Sequence, residues 1–287
     1  MDPPIVRPSR GTAPWHKGAA ALAFLLVISV PARGQPAPPE AQVSGLLVVV
    51  APSVVADYGA GVIEARGTSD LVEARPAINA ARHARQAAIG RLRSALPYLH
   101  LCDGRRVSDL PPGRLQAVLA QAARARIVAE WYLDDGRIEA VASVRLYGDG
   151  SLLALALGVD AVAPPEPAQA PLPALVVRLT AERAVLRPSL VPAASGPDGA
   201  PILTDPEEAV RRGGRPVTYA ESVDDALASM SDGQSAVVVD GSVAGDDGHD
   251  VRLTAQALEA LERAHLTPSY SCIDRVVLVS PPARGKE

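Results

Sequence analysis

Runs of apolar residues separated by turn formers divide the chain into elements. Residues 46–50 (LLVVV) read as a short buried strand. Residues 61–67 (GVIEARG) read as a second strand, ended by Gly67. Thr68, Ser69 and Asp70 then offer N-cap side chains to a long helix over residues 70–96, with Glu73 in its first turn. Ala74, Ile78, Ala81, Ala88, Leu92 and Leu96 fall on one face of that helix at three- and four-residue steps, with Arg85 the one polar intruder. Half of this face is alanine, which lets the helix approach a sheet closely. Arg75, Asn79, Arg82, His83, Gln86 and Arg93 lie elsewhere around it. Pro76 removes a backbone bond and either kinks the helix or marks its true start, and Pro97 helps to end it.

Residues 114–124 read as a second, Ala-rich helix. Residues 126–133 and 137–147 then flank Asp135-Gly136, a type I′ hairpin signal. Pairing Asp134 with Arg137 sets Leu133 opposite Ile138, Trp131 opposite Ala140, Ala129 opposite Ala142 and Ile127 opposite Val144. All eight are apolar and share one face, as a hairpin covering a helix requires, whereas a one-residue slip brings Glu130 or Glu139 into that face. Residues 163–173 (APPEPAQAPLP) are a stiff Pro-rich linker. Beyond it come a strand at 175–180, a turn at Asp198-Gly199, and a short helix at 221–230 capped by Ser222 or an earlier residue. A strand at 235–240, a helix at 254–265 with Leu258, Leu261 and His265 on one side, and a last strand at 275–280 complete the chain. The expected class is α+β: a small domain of Ala-rich helices on a sheet that includes the hairpin, then a second small α/β domain. The expected boundaries are 45–160 for the first domain, 161–174 for the linker and 175–287 for the second domain.

Composition sharpens this picture at the front of the chain. Arg7, Arg10 and Lys17 precede an apolar run at residues 19–30, which is shorter than the roughly 20 residues of a membrane span. Ala32-Arg33-Gly34 follows, with small residues at the third-last and last positions before Gln35. Residues 1–34 therefore read as a secretory signal peptide cleaved between Gly34 and Gln35, the alternative being an uncleaved anchor. Residues 35–44 follow as a loose leader. Cleavage removes four basic residues and one acidic one and takes the net charge from −4 to −7. That balance argues against a nucleic-acid partner. No stable membrane span is expected after cleavage, and the protein is expected in the periplasm or outside the cell. In such an oxidising space Cys102 and Cys272 can form a disulfide, worth about 2–4 kcal/mol for so long a loop. Two buried thiols are the other reading.

The segment from Val62 to Tyr147 resembles the LPP-twenty family of bacterial envelope lipoproteins. The resemblance rests on Ala65-Arg66-Gly67 closing a strand, Glu73-Ala74-Arg75 opening an Ala-rich helix, and Trp131-Tyr132-Leu133-Asp134-Asp135-Gly136-Arg137 at the hairpin. It covers about a third of the chain. The second half is similar to a partner segment of some envelope proteins of this group, through Leu186-Arg187-Pro188-Ser189-Leu190-Val191-Pro192 and Ala236-Val237-Val238-Val239. The resemblance implies a small α+β domain, a place in the cell envelope and a structural or motility-related role. It implies no catalytic residue. No cysteine stands after the apolar run to carry a lipid, and Pro76 interrupts the family's helix.

Local motifs for chemistry are weak. Gly59-Ala60-Gly61 starts like a dinucleotide fingerprint, but Glu64 stands at the third glycine position and a strand follows. Asp246-Asp247-Gly248-His249-Asp250 lacks EF-hand spacing and reads as a solvated surface loop. Glu207-Glu208 and Asp224-Asp225 read as charges at helix N-termini. No catalytic, cofactor-binding or metal-binding residue is expected. The leading expectation is a non-enzymatic, exported envelope protein with protein partners. A secreted hydrolase assembled from distant residues and a binder of small ligands between the domains are the alternatives.

Overall fold

Two six-stranded sheets organise the chain, and the two are built on different rules. The computed structural model describes residues 43–44, 46–69, 77–102, 104–159, 172–180, 186–212, 215–230, 234–245, 248–267, 269, 272–273 and 275–279. The expected signal peptide with its Gly34–Gln35 junction, most of the expected loose leader, residues 70–76 of the expected helix and most of the expected linker lie outside these residues. Residues Pro38–Glu287 pack as one compact unit.

The first sheet holds β1 (Val43–Ser44), β2 (Leu47–Ala51), β3 (Val54–Asp57), β4 (Val62–Thr68), β5 (Arg126–Tyr132) and β6 (Ile138–Arg145). It is antiparallel throughout, in the order β1-β2-β3-β4-β6-β5. Helix α1 (Ala77–Ala95) and a 3₁₀ turn (Leu96–Tyr98) are followed by a second 3₁₀ turn (Val107–Asp109) and α2 (Pro112–Gln121). A third 3₁₀ turn (Ala122–Arg124) leads into β5, and α3 (Leu152–Leu157) follows β6. The Ala-rich second helix is thus α2 with its 3₁₀ extension.

Gly67 does not end its strand; it sits inside β4, at the point where α1 crosses. A Cβ there would lie 2.7 Å from Ala88 Cα and nearer still to Ala88 N and Ala84 O, so helix backbone rests directly on strand backbone. This close approach decides which face of α1 is buried. The row is Ala80, Ala84, Ala88, Leu92 and Ala95, continued by Leu96, while Ile78 is 80% exposed and Ala81 only half-buried. The expected face holds in its second half (Ala88, Leu92, Leu96). It is displaced in its first, because small side chains win where a helix lies on glycine.

The hairpin forms, but in the slipped register. Tyr132 pairs with Ile138, Trp131 with Glu139, Glu130 with Ala140 and Ala129 with Val141, and a bulge follows before Ile127 meets Ala142. The loop has three residues: Leu133 N–H donates to Arg137 O at 2.8 Å, Gly136 N–H donates to Leu133 O at 2.9 Å, and Gly136 has φ +82°. A three-residue loop with a left-handed glycine replaces the two-residue turn and shifts every pair by one. The inward face of β6 is nevertheless as expected, with Ile138, Ala140, Ala142 and Val144 buried. The cost falls on β5, whose Glu130 now shares the helix side with Ala140. Arg85 of α1 answers it, bonding Glu130 Oε1 through Nε and donating from Nη2 to Oε2 at 2.8 Å. On the opposite face Trp131 lies beside Glu139 and under Arg66, whose guanidinium is 5.9 Å from the ring centroid.

The second sheet runs β8-β11-β10-β7-β12-β9, from β7 (Ala174–Thr180), β8 (Ala194–Ser195), β9 (Val217–Ala220), β10 (Ala236–Ala244), β11 (Asp250–Leu253) and β12 (Val276–Val279). It is mixed: only β10 and β11 pair antiparallel. Val176, Val277 and Val279 pack against Ala226 of α5 (Val223–Ala228). Their neighbours Leu175, Val177, Val276 and Leu278 join the main core with Ala257 and Leu261 of α6 (Ala255–Arg263). The central strands are therefore buried on both faces, as parallel strands under helices must be. Ser222 and Thr254 cap α5 and α6 by accepting from Asp225 N–H at 3.0 Å and Ala257 N–H at 3.1 Å. Asp224-Asp225 and Glu207-Glu208 occupy the first turns of α5 and α4 (Pro206–Arg211), where the helix dipole favours them. Asp198-Gly199 is a turn, with Gly199 at φ +81°. Among the described residues no helix is long and apolar enough to cross a membrane.

Candidate functional site

Two places concentrate chemistry. The first is a buried polar seam between the sheets. Residues 186–195 form a strap along it, with Leu186, Ser189, Leu190, Val191 and Ala194 buried. The first half holds the strap through backbone: Leu190 N–H donates to His100 O and Val191 N–H to Leu101 O, both at 2.9 Å. Side chains from both halves, and backbone of the second (Val251 N–H on Ala193 O at 2.9 Å), hold it as well. Tyr219 Oη accepts from Ser189 N–H at 3.0 Å and donates to Ser189 O at 2.8 Å, and Tyr147 Oη donates to the same carbonyl at 3.4 Å. Asp250 Oδ1 accepts from Ala193 N–H at 3.2 Å.

Around the strap the side chains interlock. The rings of His100 and His249 stack at 3.7 Å between centroids with 24° between planes. His249 Nδ1 donates to Arg187 O at 2.8 Å. Tyr58 meets Tyr219 edge-on at 5.7 Å. Arg215 reaches across to the Tyr58-Gly59-Ala60-Gly61 turn, donating to Gly59 O at 3.1 Å and to Tyr58 O, with its guanidinium 4.6 Å from the Tyr147 ring centroid. The Gly-Ala-Gly segment is thus a hairpin turn, with Gly61 at φ +72° and its N–H on Asp57 O, not a phosphate cradle.

Burial pushes the phenols of Tyr58 and Tyr219 well above the usual phenol range, so both stay protonated at neutral pH. Burial lowers Arg215 from its ordinary value, and Tyr147, Tyr219 and Asp57 around it offset part of that loss. Ser189 is fully buried, and its hydroxyl has no hydrogen-bond partner among the described residues, so none of them activates it. Among the described residues no three His, Cys, Asp or Glu side chains are placed to hold a metal ion.

Sequence reasoning missed this seam. The stretch read as a solvated loop, residues 246–250, ends in a buried histidine and the first residue of β11; Asp246 and Asp247 lie outside the described residues. A histidine between Gly248 and Asp250 gave no local sign of its stacking partner nearly 150 positions away. Cys102 and Cys272 are both half-buried. Arg105 Nη2 donates to Cys102 Sγ at 3.0 Å, and Cys272 lies in the turn before β12, its N–H on Ser269 O.

The second place is the free edge of the first sheet. Strand β5 is terminal in the sheet order, and Val128, Trp131 and Tyr132 on it are 48%, 38% and 73% exposed. The ladder directs the N–H and C=O of Glu130 and Tyr132 away from β6, because Leu133 already bonds Arg137 and the bonding alternates along the strand. Among the described residues no strand pairs with this edge, and edges of this kind are where another strand can add. No protein-family model, no curated protein and no solved structure matches the chain.

Proposed function

We propose that the chain is a non-enzymatic, exported protein of the cell envelope with a structural or assembly role, engaging a protein partner along β5. The observation that carries the reading is the exposed Val128, Trp131 and Tyr132 on an edge strand whose outer side has no partner among the described residues. The leader-like first 34 residues support export, and the likeness of residues 62–147 to LPP-twenty proteins supports the envelope and leaves a motility-related role open. The buried tyrosines and serine of the seam speak for a structural joint rather than a hydrolase site.

A photo-crosslinking residue placed at Tyr132 tests the partner. A discrete adduct in envelope fractions at position 132, absent when the same residue replaces exposed Arg252, is the expected result. N-terminal sequencing is expected to begin at Gln35. Turnover of a generic ester or peptide substrate, with no adduct at 132, would favour the hydrolase instead.

A further inference from the structure

The charge of the chain is unevenly placed. Residues 77–126, which build the helical layer over the first sheet, hold nine arginines against two acidic residues, in a chain of net charge −4. Helix α1 alone carries Arg82, Arg85, Arg91 and Arg93 and no acidic residue across roughly 28 Å of length. Only Arg85 among these four meets a carboxylate in the described residues, that of Glu130. Arg82, Gln86 and Arg93 are exposed on the side opposite the buried alanine row, and Arg124 belongs to the 3₁₀ turn packed beside α1. Two of the most exposed large apolar side chains flank this patch: Ile78 at one end of α1 (80%) and Tyr98 just beyond the other (56%).

We infer that this layer is a docking surface for an anionic lipid bilayer, lying flat on the headgroups with α1 and the adjoining turn against them. Charge complementarity selects an anionic partner. Arginine beside an exposed tyrosine and isoleucine is the mixture suited to the headgroup boundary, where cations meet phosphates and the apolar tips enter the acyl region. The overall negative charge does not oppose this, since charges more than about 8 Å from the surface are screened at physiological salt. Choosing a bilayer over nucleic acid rests on the envelope reading above. An acidic protein, including the acidic second half of another copy, is the competing occupant.

The test uses the chain as cells produce it, with its N-terminus sequenced, and vesicles of equal parts phosphatidylglycerol and phosphatidylcholine. Binding that weakens with salt and is absent on pure phosphatidylcholine is expected. Each basic residue at an anionic surface strengthens binding about fivefold, so R82Q/R93Q/R124Q is expected to weaken it about 100-fold. R82K/R93K/R124K keeps the charge and is expected to retain binding, and R252Q/R263Q, on exposed positions of the second half, is expected to change nothing. Failure of the native chain to bind the anionic vesicles overturns the inference. So does equal binding by the Gln variant, and so does salt-sensitive self-association or DNA binding without vesicle binding. A chain that begins at Met1 would sink the envelope reading while leaving the vesicle result standing.

Discussion

The two sheets bury their strands differently, and the difference separates where this protein is packed from where it can act. In the second sheet Val176, Val277 and Leu278 have neighbours above and below, and the central strands β7 and β12 are parallel and largely apolar. In the first, burial largely alternates along β6, the edge strand β5 pairs with β6 alone among the described residues, and the helical cover is basic. Residues 175–287 hold eleven basic and seventeen acidic residues, the reverse of the arginine excess in residues 77–126. A double-faced sheet has little surface left to specialise. A single-faced sheet under helices keeps both an edge and a helical exterior. The seam makes one unit of them, and the stability of that unit can be broken from either side.

The largest effect is expected from Gly67→Val. The new side chain would collide with backbone of Ala84 and Ala88, which cannot rotate away, so α1 must lift from β4. A loss of about 4 kcal/mol or more is expected, seen as a collapse of the chemical-denaturation midpoint. The same change at Gly113 meets nothing within 4 Å and should cost only what helix propensity dictates, within about 1 kcal/mol. Comparable losses at the two positions would show that α1 does not rest on Gly67.

Alkaline pH should attack the seam next. The phenols of Tyr58 and Tyr219 are raised in the folded state, so their contribution is whole below the unfolded value near 10 and fades as pH climbs beyond it. Each adds a slope of roughly 1.4 kcal/mol per pH unit above that point. Denaturant unfolding between pH 9 and 11.5, followed with phenolate absorbance, is expected to show cooperative loss of structure together with ionisation of both rings. Tyr219→Phe removes one proton from the slope, and a slope unchanged in that variant would contradict the burial of its hydroxyl.

Arg215→Ala is expected to cost about 2–3 kcal/mol, because Tyr58 O and Gly59 O lose a charged donor that no solvent replaces well. It also sharpens the contrast between the sheets. With the arginine gone, unfolding followed at Trp131 in the first half should part from unfolding followed by global circular dichroism. Coincident transitions would mean that the strap at Ser189 joins the halves without help from Arg215.

Much of the first sheet was legible because alternation is a local signal. The inward row of β6 and, in the second half, the cap at Ser222 and the buried runs at Leu175 and Val276 all declare themselves within a few residues. What stayed hidden depends on distance in sequence. Strand β9 is four residues, Val-Thr-Tyr-Ala, and its meaning comes from β12 alongside it. Strand β11 takes its place from β10, and Ser189 takes its partners from Tyr147 and Tyr219. The helical face went astray at Ile78 because a large apolar residue reads as core until Gly67 is known to lie beneath the alanines. The basic layer escaped because arginines scattered at one- to twelve-residue spacing form no run and vanish into a net charge summed over the chain.

The smallest effect concerns the two residues that fit the expected pattern least, Arg85 and Glu130. Each alone is an error: an arginine beside an alanine face, and a carboxylate on the helix side of a strand. Together they are a two-point bridge from α1 to the edge strand, and the slipped register is what brings them into line. Hydrogen bonds and charge from Arg85 hold the Glu130 carboxyl below its ordinary value. Its contribution is therefore present above the unfolded carboxylate value and is lost as pH falls through the range below about 4. Glu130→Gln is expected to lower the melting temperature slightly at pH 7 and to leave it unchanged relative to the native chain at pH 3. Arg85→Gln should reproduce that profile, and the double variant should add nothing further. If the double variant instead loses the sum of both, the bridge does not form. The edge strand would then be free to take the register that the apolar pattern favours, with Trp131 turned toward Ala140 and its exposed ring lost from the opposite face.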